Sequence, residues 1–299
     1  MDAASRGVSS TATAVSGAVV AMVSFQLGAA IAKRLIPAVG APGATALRLG
    51  ISALIVIVVQ RAWRSVPSRA AWPPVLAYGI SLGAMNSVFY LALRTIPLGI
   101  AVALEFTGPL AVAVMASRRK MDFLWVALAA AGLSVLLPIT RSGAPLDWIG
   151  VFFALAAGVG WALYIIFGQR AGRAHGVAAS TWGLIIAALL ATPIGIVAAG
   201  SRLLSADVLP LGLGVAVFSG AFPYTLEMIA LRRLSAKTFG TLMSFEPAIA
   251  AIAGVVILRE HLSALQYLGI GAIIVASAGA VASESESEAK DTTRADYAA

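Results

Sequence analysis

The chain has 299 residues, of which 60% are hydrophobic and 11% charged, with a formal net charge of +8. Soluble domains carry about 25% charged residues, so this chain has too little polar surface to face water throughout, and lipid must solvate much of it. Cysteine is absent, which excludes disulfides, thiolate metal sites and thiol redox chemistry.

A membrane-spanning helix takes about 20 mostly apolar residues, within a range of roughly 17–25. In chain order, ten runs fit: Ala14–Ile31, Ala44–Gln60, Trp72–Leu93, Leu98–Ala116, Phe123–Pro138, Ile149–Phe167, Val177–Ala198, Val208–Met228, Phe239–Leu258 and Ala264–Val281. The first run follows Arg6 and ends near Ala30-Ile31-Ala32, as a signal peptide would, but it is longer than a typical h-region of about 7–15 residues. It reads as a retained span. The third and fourth runs are joined tightly through Arg94-Thr95-Ile96-Pro97. After Val281 comes Ser283-Glu284-Ser285-Glu286-Ser287-Glu288, a polar run with no apolar face to bury, expected to be disordered. The fold expected is an all-α membrane protein of ten transmembrane helices. A cytoplasmic N-terminus covers residues 1–13, two five-helix units cover 14–140 and 141–282, and a tail covers 283–299.

With the N-terminus in the cytoplasm, the inner segments hold Arg6, Arg61, Arg64, Arg69, Arg118, Arg119, Lys120, Arg170, Arg173, Arg232, Arg233, Lys237, Lys290 and Arg294. The outer loops hold only Lys33, Arg34, Arg94, Arg141, Arg202 and Arg259. The positive-inside rule therefore places both termini in the cytoplasm of an inner-membrane protein. Clusters between spans, without interleaved aromatics in one stripe, also argue against nucleic acid as a partner.

The halves are related in sequence. Ala92-Leu93-Arg94 matches Ala230-Leu231-Arg232 at an offset of 138, and the register continues through Leu104 and Leu242, Pro109 and Pro247, and Ala113 and Ala251. A similar offset sets Lys33-Arg34 against Gln169-Arg170 and Phe25 against Trp161. Five spans is an odd number, so the second unit would insert upside down. Inverted repeats of this kind bind substrate near the bilayer midplane, between the repeats.

Four ionisable residues lie inside apolar runs: Arg48, Glu105, Glu227 and Glu246. Each costs roughly 2.5–3.5 kcal/mol at the bilayer centre on insertion scales, and such groups usually face the bundle interior. Glu105 precedes Pro109 and Glu246 precedes Pro247. In the repeat register they fall three residues apart, on about one helix face. Each proline should kink its helix and free a carbonyl. An acid beside such a kink suits an ammonium group or a proton; the structural alternative is pairing with a hydroxyl or with Arg48. Glu227 sits at the inner end of span eight, where it could snorkel or touch substrate. Arg48 could snorkel to the outer interface, hold a carboxylate, or pair with an acid. Gln26, Asn86, Tyr90, Trp161, Tyr164 and Tyr224 complete the set of groups that could line a cavity or hold helices together. Gly79-x-x-x-Gly83 and the Gly- and Ala-rich tenth span read as close-packing surfaces. His175 and His261 read as solvated side chains in loops or at helix ends.

There is no Walker loop, no metal constellation and no Ser/His/Asp set within the spans. Neither an enzyme nor a cofactor is expected.

Two stretches resemble the EamA family of drug/metabolite transporters, in its threonine/homoserine-exporting branch. One is Met85-Asn86-Ser87-Val88-Phe89-Tyr90 with Thr95–Val112. The other is Pro223-Tyr224-Thr225-Leu226-Glu227-Met228-Ile229-Ala230-Leu231 with Thr238–Ala248. The resemblance covers nearly all of the ten-span region. It implies two inverted five-helix repeats and a central cavity lined mostly by spans one, three, four, six, eight and nine. It also implies efflux of threonine and homoserine in exchange for protons. Other cargo (an aromatic amino acid, a purine, a drug-like cation) would suit a cavity containing Trp161 and Tyr164, and a passive channel would lack proton linkage.

Overall fold

In an apolar solvent a spanning segment must satisfy its own backbone N–H and C=O groups, and a helix does this within the segment. The computed structural model describes residues 2–116, 120–136, 147–176, 178–223, 226, 243–276 and 278–279, and every regular element among these is helical.

Helix α1, Asp2–Val59, contains the first two expected spans as two arms meeting at Gly40. No open connection separates them. The reversal is concentrated at Gly40, whose φ of 71° only glycine adopts at little cost. Pro42 follows in the first turn of the second arm, where its missing N–H is harmless. The next elements are α2 (Trp72–Ala92), α3 (Leu98–Glu105), α4 (Thr107–Ala116) and α5 (Lys120–Leu136). Then come α6 (Trp148–His175) and α7 (Ala178–Ala199). Asp147 caps α6 by accepting a hydrogen bond from Ile149 N at 3.1 Å. Helix α8 (Leu209–Ala216) runs into a π-helical segment, Val217–Ala221, and is followed by α9 (Glu246–Leu258) and α10 (Ala264–Ala276).

Among the described residues, four stretches are long and apolar enough to cross a membrane by themselves: Val15–Val59, Trp72–Ala92, Trp148–His175 and Ala178–Leu204. Leu98–Val112, Leu209–Ala221, Glu246–Leu258 and Ala264–Ala276 are shorter apolar helices, and the fourth, eighth and ninth expected spans each carry an interruption. The chain turns at Phe106, passes into π geometry at 217–221, and turns again at Ser244 and Phe245. Helical dihedrals continue through Phe106 and Phe245, so each proline interrupts the hydrogen bonding of its span where the sequence suggested. Pro109 and Pro247 each lie in the first turn of a new helix, just past a break. Parts of the fifth, seventh, eighth, ninth and tenth expected spans, and the 283–299 tail, lie outside the described residues.

Packing joins the two halves of the chain. Helix α1 lies on α7, α8 and α9; α2 lies on α6 and α7; α3 lies on α6 and α9. Small residues allow close approach. A Cβ on Gly79 would sit 2.8 Å from Gly183 O, and one on Gly83 would sit 3.1 Å from Ala187 Cα, so Gly79-x-x-x-Gly83 is the α2 face that meets α7. Gly108 and Gly158 let α4 meet α6 in the same way: a Cβ on Gly108 would collide with the Gly158 carbonyl. His175 is not simply solvated, because its Nε2 lies 3.0 Å from Ser65 O and ties the end of α6 to the connection after α1.

Alanine is otherwise a better helix former than glycine, so the sign of a Gly→Ala change here depends on space. Gly108→Ala should destabilise the bundle by about 1–3 kcal/mol through overpacking. Gly172→Ala, with nothing within 4 Å of its Cβ, should not. Thermal unfolding in detergent compares the two.

Candidate functional site

The interruptions surround one central cavity of about 100 Å³. Gln26, Arg48, Asn86, Glu105, Trp161, Tyr164 and Glu246 line it, so the structure gathers seven of the residues nominated from sequence. Tyr90 is fully buried behind them. Tyr224 and Glu227 lie outside the described residues.

Arg48 is 7% exposed and does not snorkel. Its Nη2 donates to Ser219 O at 2.9 Å, and its guanidinium lies 5.6 Å from the centroid of the Tyr90 ring. Ser219 belongs to the π segment, whose altered hydrogen bonding leaves carbonyls available to side chains. Helix α1 supplies the donors. Ser24 Oγ donates to Phe218 O at 2.6 Å, Ser52 Oγ to Ala216 O at 2.9 Å, and Arg48 to Ser219 O. Gly28 and Gly220 make room, since a Cβ on either would collide with Ser219 or Ser52 respectively. The second span therefore contributes to the site through Arg48. Among the described residues, the eighth reaches the site only from behind, through the Ser219 carbonyl.

The two acids sit at opposite kinds of helix end. Glu246 opens α9, where the helix dipole favours an anion. Its Oε1 accepts from Gln26 Nε2 at 3.1 Å. Glu105 closes α3, an end that favours a cation. Glu105 is buried and within Coulombic reach of both Glu246 and Arg48, yet its carboxylate has no hydrogen-bond partner among the described residues. Asn86 donates Nδ2 to Leu82 O at 2.8 Å, which leaves Oδ1 for the cavity. Aromatic rings form one wall. Trp161 meets Phe106 edge-on at 5.3 Å between centroids. Tyr164 lies 4.9 Å from Tyr78, with their hydroxyls 3.3 Å apart.

Sequence reasoning missed the apolar lining: Met22, Phe25, Met85, Phe89, Val102 and Met243. A signal was present. Met22, Phe25, Gln26 and Ala29 follow the i, i+3, i+4, i+7 spacing of one helix face, and Met85, Asn86 and Phe89 repeat the pattern. Apolar residues in an apolar span carry no anomaly of their own, so only their alignment with Gln26 and Asn86 marks them.

This ring of broken helices around buried acids can be compared with known proteins. The EamA-like transporter family matches residues 148–282. The threonine/homoserine exporter RhtA of Escherichia coli (strain K12) is 55% identical over 260 residues, which is 87% of this chain and 88% of that protein. The RhtA of Salmonella typhimurium (strain LT2) matches to the same extent. The chain belongs to the EamA-like transporter family. The uncharacterized transporter YwfM of Bacillus subtilis (strain 168) is a more distant relative, 28% identical over 78% of this chain and 81% of its own. A solved crystal structure, 20% identical, superposes with a TM-score of 0.61 over 90% of this chain and 96% of the other, so the fold is shared. The protein is thus a helical membrane transporter and not an enzyme, as its sequence led us to expect.

Arg48 ties α1 to the π segment, so Arg48→Leu should lower stability by about 1.5–3 kcal/mol, the usual worth of a hydrogen bond to a charged group. Arg48→Lys, which retains a donor and the charge, should lose less. Thermal unfolding in detergent without substrate is the measurement, and equal melting of the two variants would contradict the bond's structural role.

Proposed function

We propose that this chain exports threonine and homoserine across the inner membrane in exchange for protons, by alternating access. One observation carries the mechanism: the Glu105 carboxylate faces a central cavity with no hydrogen-bond partner among the described residues, at a helix end that favours a cation. A substrate ammonium and a proton compete for that carboxylate, and the competition couples their movements. Glu246, held by Gln26 at the start of α9, stays in place as the second acid. Arg48 lies near enough to draw the substrate carboxylate, and Asn86 Oδ1 offers an acceptor to the side-chain hydroxyl that both amino acids carry. The cargo rests on 55% identity to exporters named for threonine and homoserine.

Alternating access rests on ten spans in two inverted repeats, residues 14–140 and 141–282, with both termini in the cytoplasm. The register of 138 supports this plan. It pairs Glu105 with Met243, and both line the cavity as the last helical residue before a break. It pairs Phe106 with Ser244, both in turns, and Pro109 with Pro247, both just past the break. Those prolines leave the carbonyls of Glu105 and Met243 without an intrahelical donor. Packing mirrors the register too: α1 on α8 corresponds to α6 on α2, and α1 on α9 corresponds to α6 on α3 and α4. Two such units rocking about a shared cavity would expose it to each side in turn.

The aromatic wall of Phe25, Trp161 and Tyr164 favours a second reading, in which the cargo is an aromatic metabolite. Resistance of overexpressing cells to excess homoserine supports the first reading, and resistance only to an aromatic amino acid analogue supports the second.

Vesicles loaded with labelled threonine and given a pH gradient test the coupling. Wild-type protein should show gradient-driven flux, and Glu105→Gln should reduce it by tenfold or more at equal membrane abundance. Undiminished flux in the variant would remove Glu105 from the mechanism.

A further inference from the structure

One end of the bundle carries a cluster that the cavity does not use. Lys33 Nζ lies 2.6 Å from Glu260 Oε1 and donates to Ile96 O at 2.5 Å. The second oxygen of Glu260 accepts the backbone N–H of Leu98 at 2.9 Å, capping the start of α3. Arg34 donates to Ile257 O, at the end of α9. Three elements therefore meet on one ion pair: the first arm of α1, the α2–α3 connection, and the α9–α10 connection.

The local backbone is shaped for this contact. Arg259 takes a left-handed conformation, φ 56°, which folds the chain back so that Glu260 N donates to Gly254 O at 3.0 Å. Gly254 leaves space for the carboxylate, because a Cβ there would collide with it. Lys33 and Glu260 side chains retain only 21% and 12% of their exposure. An exposed ion pair contributes about 0–1 kcal/mol. This pair is shielded and fixed by further hydrogen bonds on both partners, so a larger share of its attraction survives screening.

The placement bears on function. Gln26 lies seven residues from Lys33 on α1, and Glu105 seven residues from Leu98 on α3, each about 10 Å along a helix. Glu260 packs at the level of Gly254, eight residues from Glu246 on α9, or about 12 Å. The pair thus sits a similar distance from the cavity along each of the three elements that bring Gln26, Glu105 and Glu246 together. Between the two levels, α3 and α9 are in close contact: a Cβ on Gly99 would lie 2.6 Å from Ala251 Cα. Opening this end by parting the two halves carries α1 and α3 together away from α9, and that movement breaks both the pair and the cap on Leu98.

We propose that Lys33 and Glu260 form the gate of this end, an ionic lock that holds the cavity shut and must break for substrate to pass. The proposal rests on the alternating-access reading above, whose topology puts Lys33 and Glu260 on the periplasmic side. Residues of both halves meet in the lock, so relative movement of the halves is what it resists.

The chain has no cysteine, so a single introduced thiol reports alone. Ala29, between Gln26 and Lys33 and lining the cavity, is the reporter position. Intact cells carrying Ala29→Cys are treated with a membrane-impermeant thiol reagent. Glu260→Gln removes the charge but keeps an oxygen that can cap Leu98. In this background, Glu260→Gln and Lys33→Gln should each speed labelling several-fold. The double variant should be no faster than either single one, since the two residues act as one lock. Raising the ionic strength should also speed labelling of the Ala29→Cys parent, by less than either variant does because the pair is partly shielded, a readout that needs no gate variant to fold. Unchanged labelling in both single variants and at high salt, or additive increases in the double variant, would overturn the proposal. Threonine flux in the same cells separates the two claims: flux with unresponsive labelling refutes the gate alone, and responsive labelling without flux refutes the cargo alone.

Discussion

Backbone polar groups inside an apolar solvent must find partners, and the site depends on how this chain meets that requirement where its helices stop. An unbroken helix satisfies itself. The turns at Phe106 and at Ser244–Phe245, and the π segment at 217–221, do not. At the π segment the solution is explicit: Ser24 and Arg48 of α1 donate to two of its carbonyls, and Ser52 donates to that of Ala216 just before it. At the two turns, prolines begin the next helix where a missing N–H does no harm, while the carbonyl four residues back is left to other partners. The cavity lies where these irregular segments converge, because irregular backbone is tolerated at membrane depth only when protein or water covers it.

Structure and function therefore share residues. Arg48 holds the π segment in place and also faces the cavity, so a ligand that draws on its charge acts on the α1–α8 contact as well. Glycines set the spacing that makes this possible. Gly28 and Gly220 bring α1 onto the π segment, Gly108 and Gly158 bring α4 onto α6, and Gly99 brings α3 onto Ala251 of α9. In lipid there is no hydrophobic drive between helices, so close van der Waals contact and buried hydrogen bonds hold the bundle together. Close contacts of this kind come apart as units, which suits a protein with more than one arrangement.

Some of the site could be read directly. Glu105, Glu246, Gln26 and Asn86 stood out because polarity in an apolar run is expensive and so marks an interior position. Arg48 was visible for the same reason, but its depth was not: periodicity does not say how far a side chain lies from the interface. The apolar walls were legible only in part, because Met22 or Val102 differs from a packing residue only by the face it shares with a polar neighbour. Glu260 gave no signal at all. It follows an apolar span in a connection where acids are ordinary, and only the left-handed turn at Arg259 folds it back against Lys33.

Composition and hydropathy by themselves determined that the chain is helical and lives in lipid, because a bilayer admits few other solutions for a single chain. They also fixed which residues are too polar to face lipid. Tertiary structure decided where helices end, which acid sits at a cation-favouring end and which at an anion-favouring one, and which charges meet. Those outcomes depend on contacts between residues 63 to 227 positions apart, and local propensity carries no information about them.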